Sequence, residues 1–344
     1  MLRPLTNIKI IDFSRLLPGP LGSKMLADLG AEVIKIEKTE NADYVKHQAP
    51  FIESVSTLYH SLNHNKAVKI LNWELENELE TLLDLIKSAD VLIEQFRPGV
   101  MKHWGLDYDS LRKLNPNLIY ISLSGFGQNG PNAQKAGHDL NYLAISGILD
   151  QIRDKHGKPV IPGVQIADIV GGAYTIQIAV LSALLERQTK GAGLYLDVSM
   201  TDAVIPLLSF PLSQFWGGFD PKEMKILSGG LVNYNVYECS DGKWIALAAL
   251  ELKFWSAFCD QSLKQEWKRA HQYELSVHIF PVHEIEVFFK QKSRDAWVAW
   301  AADFDFCLSP VLELAELDKS AHYQEKKSII DGEIKGLKHL KRLI

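Results

Sequence analysis

Apolar positions fall into two alternating patterns over the first part of the chain. Ile8 to Phe13 is a short apolar run with β-branched residues. A Pro18-Gly19-Pro20 loop follows, then helically spaced apolar positions from Leu21 to Leu29, a stop at Gly30 and a second short run from Val33 to Ile36. The spacing predicts a strand, a helix and a second strand. Further strand candidates are Ala67 to Leu71, Val91 to Glu94, Leu118 to Leu123 and Leu194 to Val198, separated by helical patterns such as Glu74 to Ser88. Strands alternating with helices predict a parallel, doubly wound sheet, which binds ligands beyond the carboxyl ends of its strands. Arg15, Lys38, Arg97 and Phe126 each follow a candidate strand and so belong at that edge.

A helix pattern opens near Asp168 and runs to Arg187. It is apolar on most of its circumference, which predicts burial, and Lys190-Gly191-Ala192-Gly193 ends it. After Pro221 the pattern changes. Val232 to Glu238, Asp241-Gly242 and Trp244 to Leu247 read as a hairpin, and Trp- and Phe-rich helical segments continue to about Phe304. The expected division is a large domain over 1–224, a small α+β domain over 225–320 and a tail over 321–344. Lys335, Lys338, Lys341 and Arg342 place that tail on a solvated helix or a frayed end.

With 344 residues, 47% of them hydrophobic, the chain can bury a large core. Its net charge of −5 and the lack of a basic run before residue 335 argue against nucleic-acid binding. No apolar stretch is expected to reach the roughly 20 residues needed to span a bilayer, and Met1-Leu2-Arg3-Pro4-Leu5 has no signal-peptide shape, so the expectation is a cytoplasmic protein with no membrane partner. Cys239, Cys259 and Cys307 lack CxxC spacing, which suggests neither a disulfide framework nor a zinc site. The first loop, Arg15-Leu16-Leu17-Pro18-Gly19-Pro20-Leu21-Gly22, is not G-x-G-x-x-G, and no Walker A sequence occurs. A nicotinamide enzyme is disfavoured on that ground.

Candidate chemistry concentrates between Gly137 and Gly172. His138 and Asp168 both stand where a loop gives way to a predicted helix. Asp168 reads as an N-cap, and beside Gly171-Gly172 the same helix N-terminus could also hold a developing oxyanion. For His138 the choice lies between a packing histidine and a proton carrier, whose reference pKa of about 6.5 suits transfer near neutrality. Asp139 offers the capping carboxylate in its place. Glu251, after the apolar strand Ile245 to Ala249, is a helix start or a third proton carrier. Arg97, in Phe96-Arg97-Pro98-Gly99, is a surface arginine or a phosphate ligand.

Several segments together resemble the family III CoA-transferases, the CaiB/BaiF family, and within it the 2-methylacyl-CoA racemase branch. They are Leu17-Pro18-Gly19-Pro20, Gly30-Ala31-Glu32-Val33-Ile34-Lys35-Ile36-Glu37, Leu62-Asn63-His64-Asn65-Lys66, Phe96-Arg97-Pro98-Gly99-Val100, Ser124-Gly125-Phe126-Gly127, Gly137-His138-Asp139-Leu140-Asn141-Tyr142-Leu143 and Ala167-Asp168-Ile169-Val170-Gly171-Gly172. The resemblance implies a Rossmann-like parallel-sheet large domain with a smaller α+β domain. It implies that Asp168 serves as nucleophile in transferases and as a base in racemases. His138 matches the racemase pattern, as does Leu227-Ser228-Gly229-Gly230, and Glu251 matches the glutamate that works with the histidine, although Leu252 replaces the family's usual proline. The implied activity is epimerisation of 2-methylacyl-CoA thioesters by 1,1-proton transfer. CoA transfer through Asp168, or acyl-CoA binding without turnover, are the alternatives.

The implied CoA contacts are Arg97, Lys38, Lys66, Asn65, Arg15 and Tyr142. CoA enters as part of the substrate, with no further cofactor and no metal. An interlocked homodimer is implied, and family chains continue some way past Pro310-Val311-Leu312, so the end of this chain at Ile344 is expected to loosen that dimer.

Overall fold

Six short apolar runs form one parallel sheet: β1 (Lys9–Asp12), β2 (Glu32–Glu37), β3 (Ala67–Ile70), β4 (Val91–Glu94), β5 (Ile119–Ser124) and β6 (Tyr195–Ser199). They pair in the order β3-β2-β1-β4-β5-β6. The inner strands carry apolar side chains on both faces, and Ile10, Ile11, Leu92, Ile93, Ile119 and Ile121 are fully buried. Such continuous apolar runs suit strands covered on both sides by helices. The protein, described here by a computed structural model, is thus of the α/β class with a Rossmann-like sheet. The structure describes residues 3–39, 42–52, 54–154, 156–220, 225–271, 282–326, 329–330 and 333–334.

Contacts divide the chain into two units, Met1–Ser209 with the described residues from Ala321 on, and Phe210–Ser320. In the first, helix α1 spans Pro18–Asp28. The Pro18-Gly19-Pro20 segment, expected as a loop, is therefore the helix's first turn. Proline is at home there because that turn's N–H groups have no partner inside the helix and its fixed φ is already helical. Helix α2 (Glu76–Lys87) buries Leu82 and Ile86 against Ile11, Ile34 and Leu92, and keeps Glu76 and Glu78 at its positive end. Helix α3 spans Asp139–Ser146. A π-helical segment, Ala167–Tyr174, leads directly into α4 (Thr175–Lys190), which ends at the left-handed Gly191.

Helix α4 departs from the expectation of burial all round. Ile176, Val180, Ala183 and Leu184 are buried, and the helix packs on α1 and β5. Its other face leaves Ile178 65% and Leu185 66% exposed, with Tyr174 and Leu181 beside them. The 24-residue helical run Ala167–Lys190 is also long and apolar enough by composition to cross a bilayer, contrary to the sequence expectation. One face of that run packs on α1 and β5.

In the second unit, β7 (Tyr234–Glu238) and β8 (Trp244–Ala248) form the predicted hairpin, and β9 (Leu308–Pro310) adds a third antiparallel strand on the β8 side. Pro310 hides that strand from a sequence reading, and an edge position tolerates its missing N–H. Helices α5 (Leu252–Gln261), α6 (Val282–Phe289) and α7 (Arg294–Trp300) bring Trp255, Phe258, Phe289 and Trp297 into an aromatic core. The three cysteines are free thiols, Cys239 and Cys259 buried and Cys307 half-buried. Lys335, Lys338, Lys341 and Arg342 lie outside the described residues.

Candidate active site

The strand order reverses between β1 and β4, and a sheet of this kind opens a crevice at that point beyond its carboxyl edge. The loops after β1, β4 and β5 meet there around a cavity of about 250 Å3. Arg15, Gln95, Arg97 and Phe126 come from those loops, while His138, Tyr142 and Asp168 supply another wall. An adjoining cavity of about 240 Å3 shares Arg15 and Phe96 and is lined further by Lys38, Trp73 and Trp104.

Buried charges hold the loops in place. Leu16 adopts a positive φ of 66°, and its N–H donates to the Asp43 carboxylate at 3.2 and 3.3 Å. Lys35, itself fully buried, pairs with Asp43 at 3.3 Å and donates to the Ser14 carbonyl at 2.5 Å. The loop between these anchors leaves Arg15 exposed, its guanidinium 5.7 Å from the Phe96 ring centroid. After β4, the Glu94 carboxylate accepts the Phe96 N–H at 2.7 Å, and burial pushes its pKa up to about 7. Gln95 Oε1 accepts the Gly19 N–H at 3.1 Å and so ties the Arg97 loop to α1.

His138 caps α3, and the Asn141 side-chain oxygen accepts the His138 backbone N–H at 3.1 Å. The histidine is exposed at the cavity. Tyr142 is buried one turn on, donating its hydroxyl to the Gly137 carbonyl at 2.6 Å with its ring edge-on to Phe126. A Cβ at Gly137 would lie 2.7 Å from the Tyr142 ring, so the glycine there admits an aromatic side chain of the protein itself. Burial, with the Asp168 charge adding to it, pushes the Tyr142 pKa up to about 12.

Asp168 is not the N-cap that the sequence suggested. It lies within the π-helical segment, and its N–H donates to Asp139 Oδ1 at 3.0 Å. Burial first, and the neighbouring Asp139 charge second, push its pKa up to about 7. The oxyanion expectation for Gly171-Gly172 changes as well. Cβ atoms there would lie 2.5 Å from the Met200 carbonyl oxygen and 2.5 Å from Pro18 Cβ, so the space beside these glycines is filled by the chain's own packing.

Of the expected CoA contacts, Arg15, Arg97 and Tyr142 line the first cavity and Lys38 the second, where it pairs with Glu74 at 2.5 Å. Lys66 and Asn65 line neither cavity. The Lys66 ammonium is fully buried and donates to Asp12, Asn63 and the Pro20 carbonyl at 3.1, 3.0 and 2.8 Å. Asn65 donates to Asp28 at 3.0 Å and to the Lys24 carbonyl at 3.3 Å. Both therefore brace α1, a role their polar sequence positions did not announce. Glu251 belongs to the second unit, where it is exposed and caps α5. Sequence reading missed Gln95 and Lys135, which also line the first cavity. Gln95 directly precedes the Phe96-Arg97-Pro98-Gly99 turn, which was a usable signal, whereas Lys135 lies in an unpatterned loop.

The sequence profile of CoA-transferase family III matches residues 5–341, and the chain belongs to that family. It is similar to the human alpha-methylacyl-CoA racemase, 30% identical over 333 residues that cover 96% of this chain and 83% of the relative. It is also similar to the human succinyl-CoA:glutarate CoA-transferase, 32% identical over 243 residues covering 70% of this chain and 55% of the relative. The solved structure of a CAIB/BAIF family protein from Brucella suis superposes with a TM-score of 0.83 at 28% identity, over 96% of this chain and 90% of that one. The family is enzymatic, and its members similar to this chain include both racemases and CoA-transferases.

Proposed function

We propose that the protein epimerises the α-carbon of 2-methylacyl-CoA thioesters by 1,1-proton transfer through an enolate. The observation that carries the reading is that His138 and Asp168 line one cavity, with Asp168 buried enough to exchange its proton at about pH 7. Inversion of a C–H centre needs a proton removed on one face and another returned on the opposite face, so each carrier must be able to hold a proton near neutrality. A carboxylate acting only as a nucleophile needs no such raised pKa. Arg15 and Arg97 at the first cavity, and Lys38 with the Trp73 and Trp104 rings at the second, supply cations and aromatic faces for a CoA moiety laid across both. Glu251 enters this reading through the family resemblance. A second copy of the chain is the proposed partner, because α4 leaves an apolar face uncovered.

A single-epimer 2-methylacyl-CoA incubated in deuterated water without an acceptor acid tests the reading. Racemase activity gives deuterium at the α-carbon together with epimerisation. CoA migration to an added free acid, with no label in its absence, would instead establish the transferase alternative, which relatives of similar identity keep in play. Binding with neither outcome would leave a non-catalytic acyl-CoA-binding protein.

A further inference from the structure

We propose that Asp139 is a positioning residue, the carboxylate that holds the Asp168 turn against the helix bearing His138 and sets a negative charge beside it. Two features of the chain lead there. Asp139 directly follows His138 at the start of α3, and its Oδ1 accepts the Asp168 backbone N–H at 3.0 Å across 29 positions of sequence. One side chain therefore joins the helix that carries one candidate proton carrier to the backbone of the other.

Asp139 does not cap its own helix, whose N-cap is His138. Asn141 accepts the His138 N–H at the start of α3. The helical run through Asp168, by contrast, has no side-chain cap of its own at Ile166. The first N–H groups of a helix lack partners within it, and Asp139 supplies an acceptor from a different helix. In the first turn of α3 its negative charge is favoured by the helix dipole. An ionised neighbour resists a second negative charge on Asp168.

Other titratable groups on the elements packed around Asp168 are otherwise placed. Lys24 and Asp28 on α1 pair with each other. Asp202, in the helical turn Met200–Ala203, acts on Asp197 of β6. The Tyr142 hydroxyl of α3 donates its hydrogen bond to the Gly137 carbonyl, and Arg15 and Arg97 line the cavity from its loops. Burial is the larger cause of the raised Asp168 pKa, and the Asp139 charge adds to it.

The kinetic part of the test rests on the racemase reading; the titration part does not. Asp139→Asn keeps an acceptor for the Asp168 N–H but removes the charge, and Asp139→Ala removes both. In the full-length protein, Asp139→Ala lowers kcat about tenfold to a hundredfold with KM within about twofold, the pattern of a misplaced group. Asp139→Asn loses less, and the limb of the pH profile set by Asp168 deprotonation moves down by about one pH unit. Infrared difference titration of the Asp168 carboxyl, assigned by its loss in Asp168→Asn, moves down likewise in Asp139→Asn without any turnover. A wild type that does not epimerise, combined with that titration shift, would sink the racemase reading and leave the role of Asp139 standing. An Asp168 titration unchanged in Asp139→Asn overturns the proposal.

Discussion

A carboxyl group in water releases its proton near pH 4, and burial beside Asp139 delays that release at Asp168 to about pH 7. The delay has a consequence for the fold. Between the two pH values the native protein holds a proton that the unfolded chain has given up, so stability contributed by this group is present below pH 4 and is lost as pH rises through about 7. Asp168→Asn removes the titration. Its melting temperature is expected to match the wild type near pH 4 and to exceed it at pH 8, read by calorimetry at both values; equal differences at the two pH values would remove the raised pKa from the account. Activity moves the other way. His138→Ala and Asp168→Ala are each expected to lower epimerisation by about 100-fold to 10,000-fold, the usual range for a positioned acid or base. A His138→Ala protein with normal epimerisation returns that residue to packing.

At the scale of elements, the site depends on how closely helices approach one another at the Asp168 turn. A Cβ at Gly171 would meet the Met200 carbonyl at 2.5 Å, and a backbone oxygen cannot swing aside as a side chain does. Gly171→Ala is therefore expected to cost about 1 to 3 kcal/mol in denaturant unfolding, with reduced turnover as the turn shifts. The Asp12 carboxylate under α1 gives a second case. Burial alone would raise its pKa, but Lys66 and Lys35, with the Ser14 and Ser23 hydroxyls, hold it down at about 2. Lys66→Met takes the nearer charge away and leaves Asp12 short of a partner, so a loss of about 3 kcal/mol is expected, while CoA affinity in the surviving folded protein stays within about twofold.

The same elements explain what could be read in advance. The strands were legible because inner parallel strands must be apolar on both faces, and the loops after them placed Arg15, Arg97 and Phe126 at the cavity. The π-helical setting of Asp168 was not legible, because its sequence, Ala167-Asp168-Ile169-Val170, is also that of an ordinary capped helix. Lys66 misled for another reason: the resemblance offered it to CoA as a cation, and only the folded end of the strand that carries Asp12 shows its charge already paired in the interior.

For the molecule as a whole, the telling surface is the outer face of α4. Tyr174, Ile178, Leu181 and Leu185 recur at spacings of four, three and four, so they form one stripe along the helix. Apolar stripes of this length are uncommon on a surface that faces only water. A two-fold dimer uses the same patch on both copies, and a straight apolar helical stripe can pack against its own symmetry mate without unpaired polar groups. The proposed partner, a second copy of this chain, is therefore expected to cover α4. Sedimentation of the wild type at micromolar concentration should give twice the 38.7 kDa chain mass. Leu185→Glu, at a position 66% exposed in the single chain, should shift the protein to the chain mass with its far-ultraviolet circular dichroism unchanged. A wild type that sediments as a single chain throughout the concentration range would remove the dimer. A Leu185→Glu protein that stays dimeric would move the interface to another face.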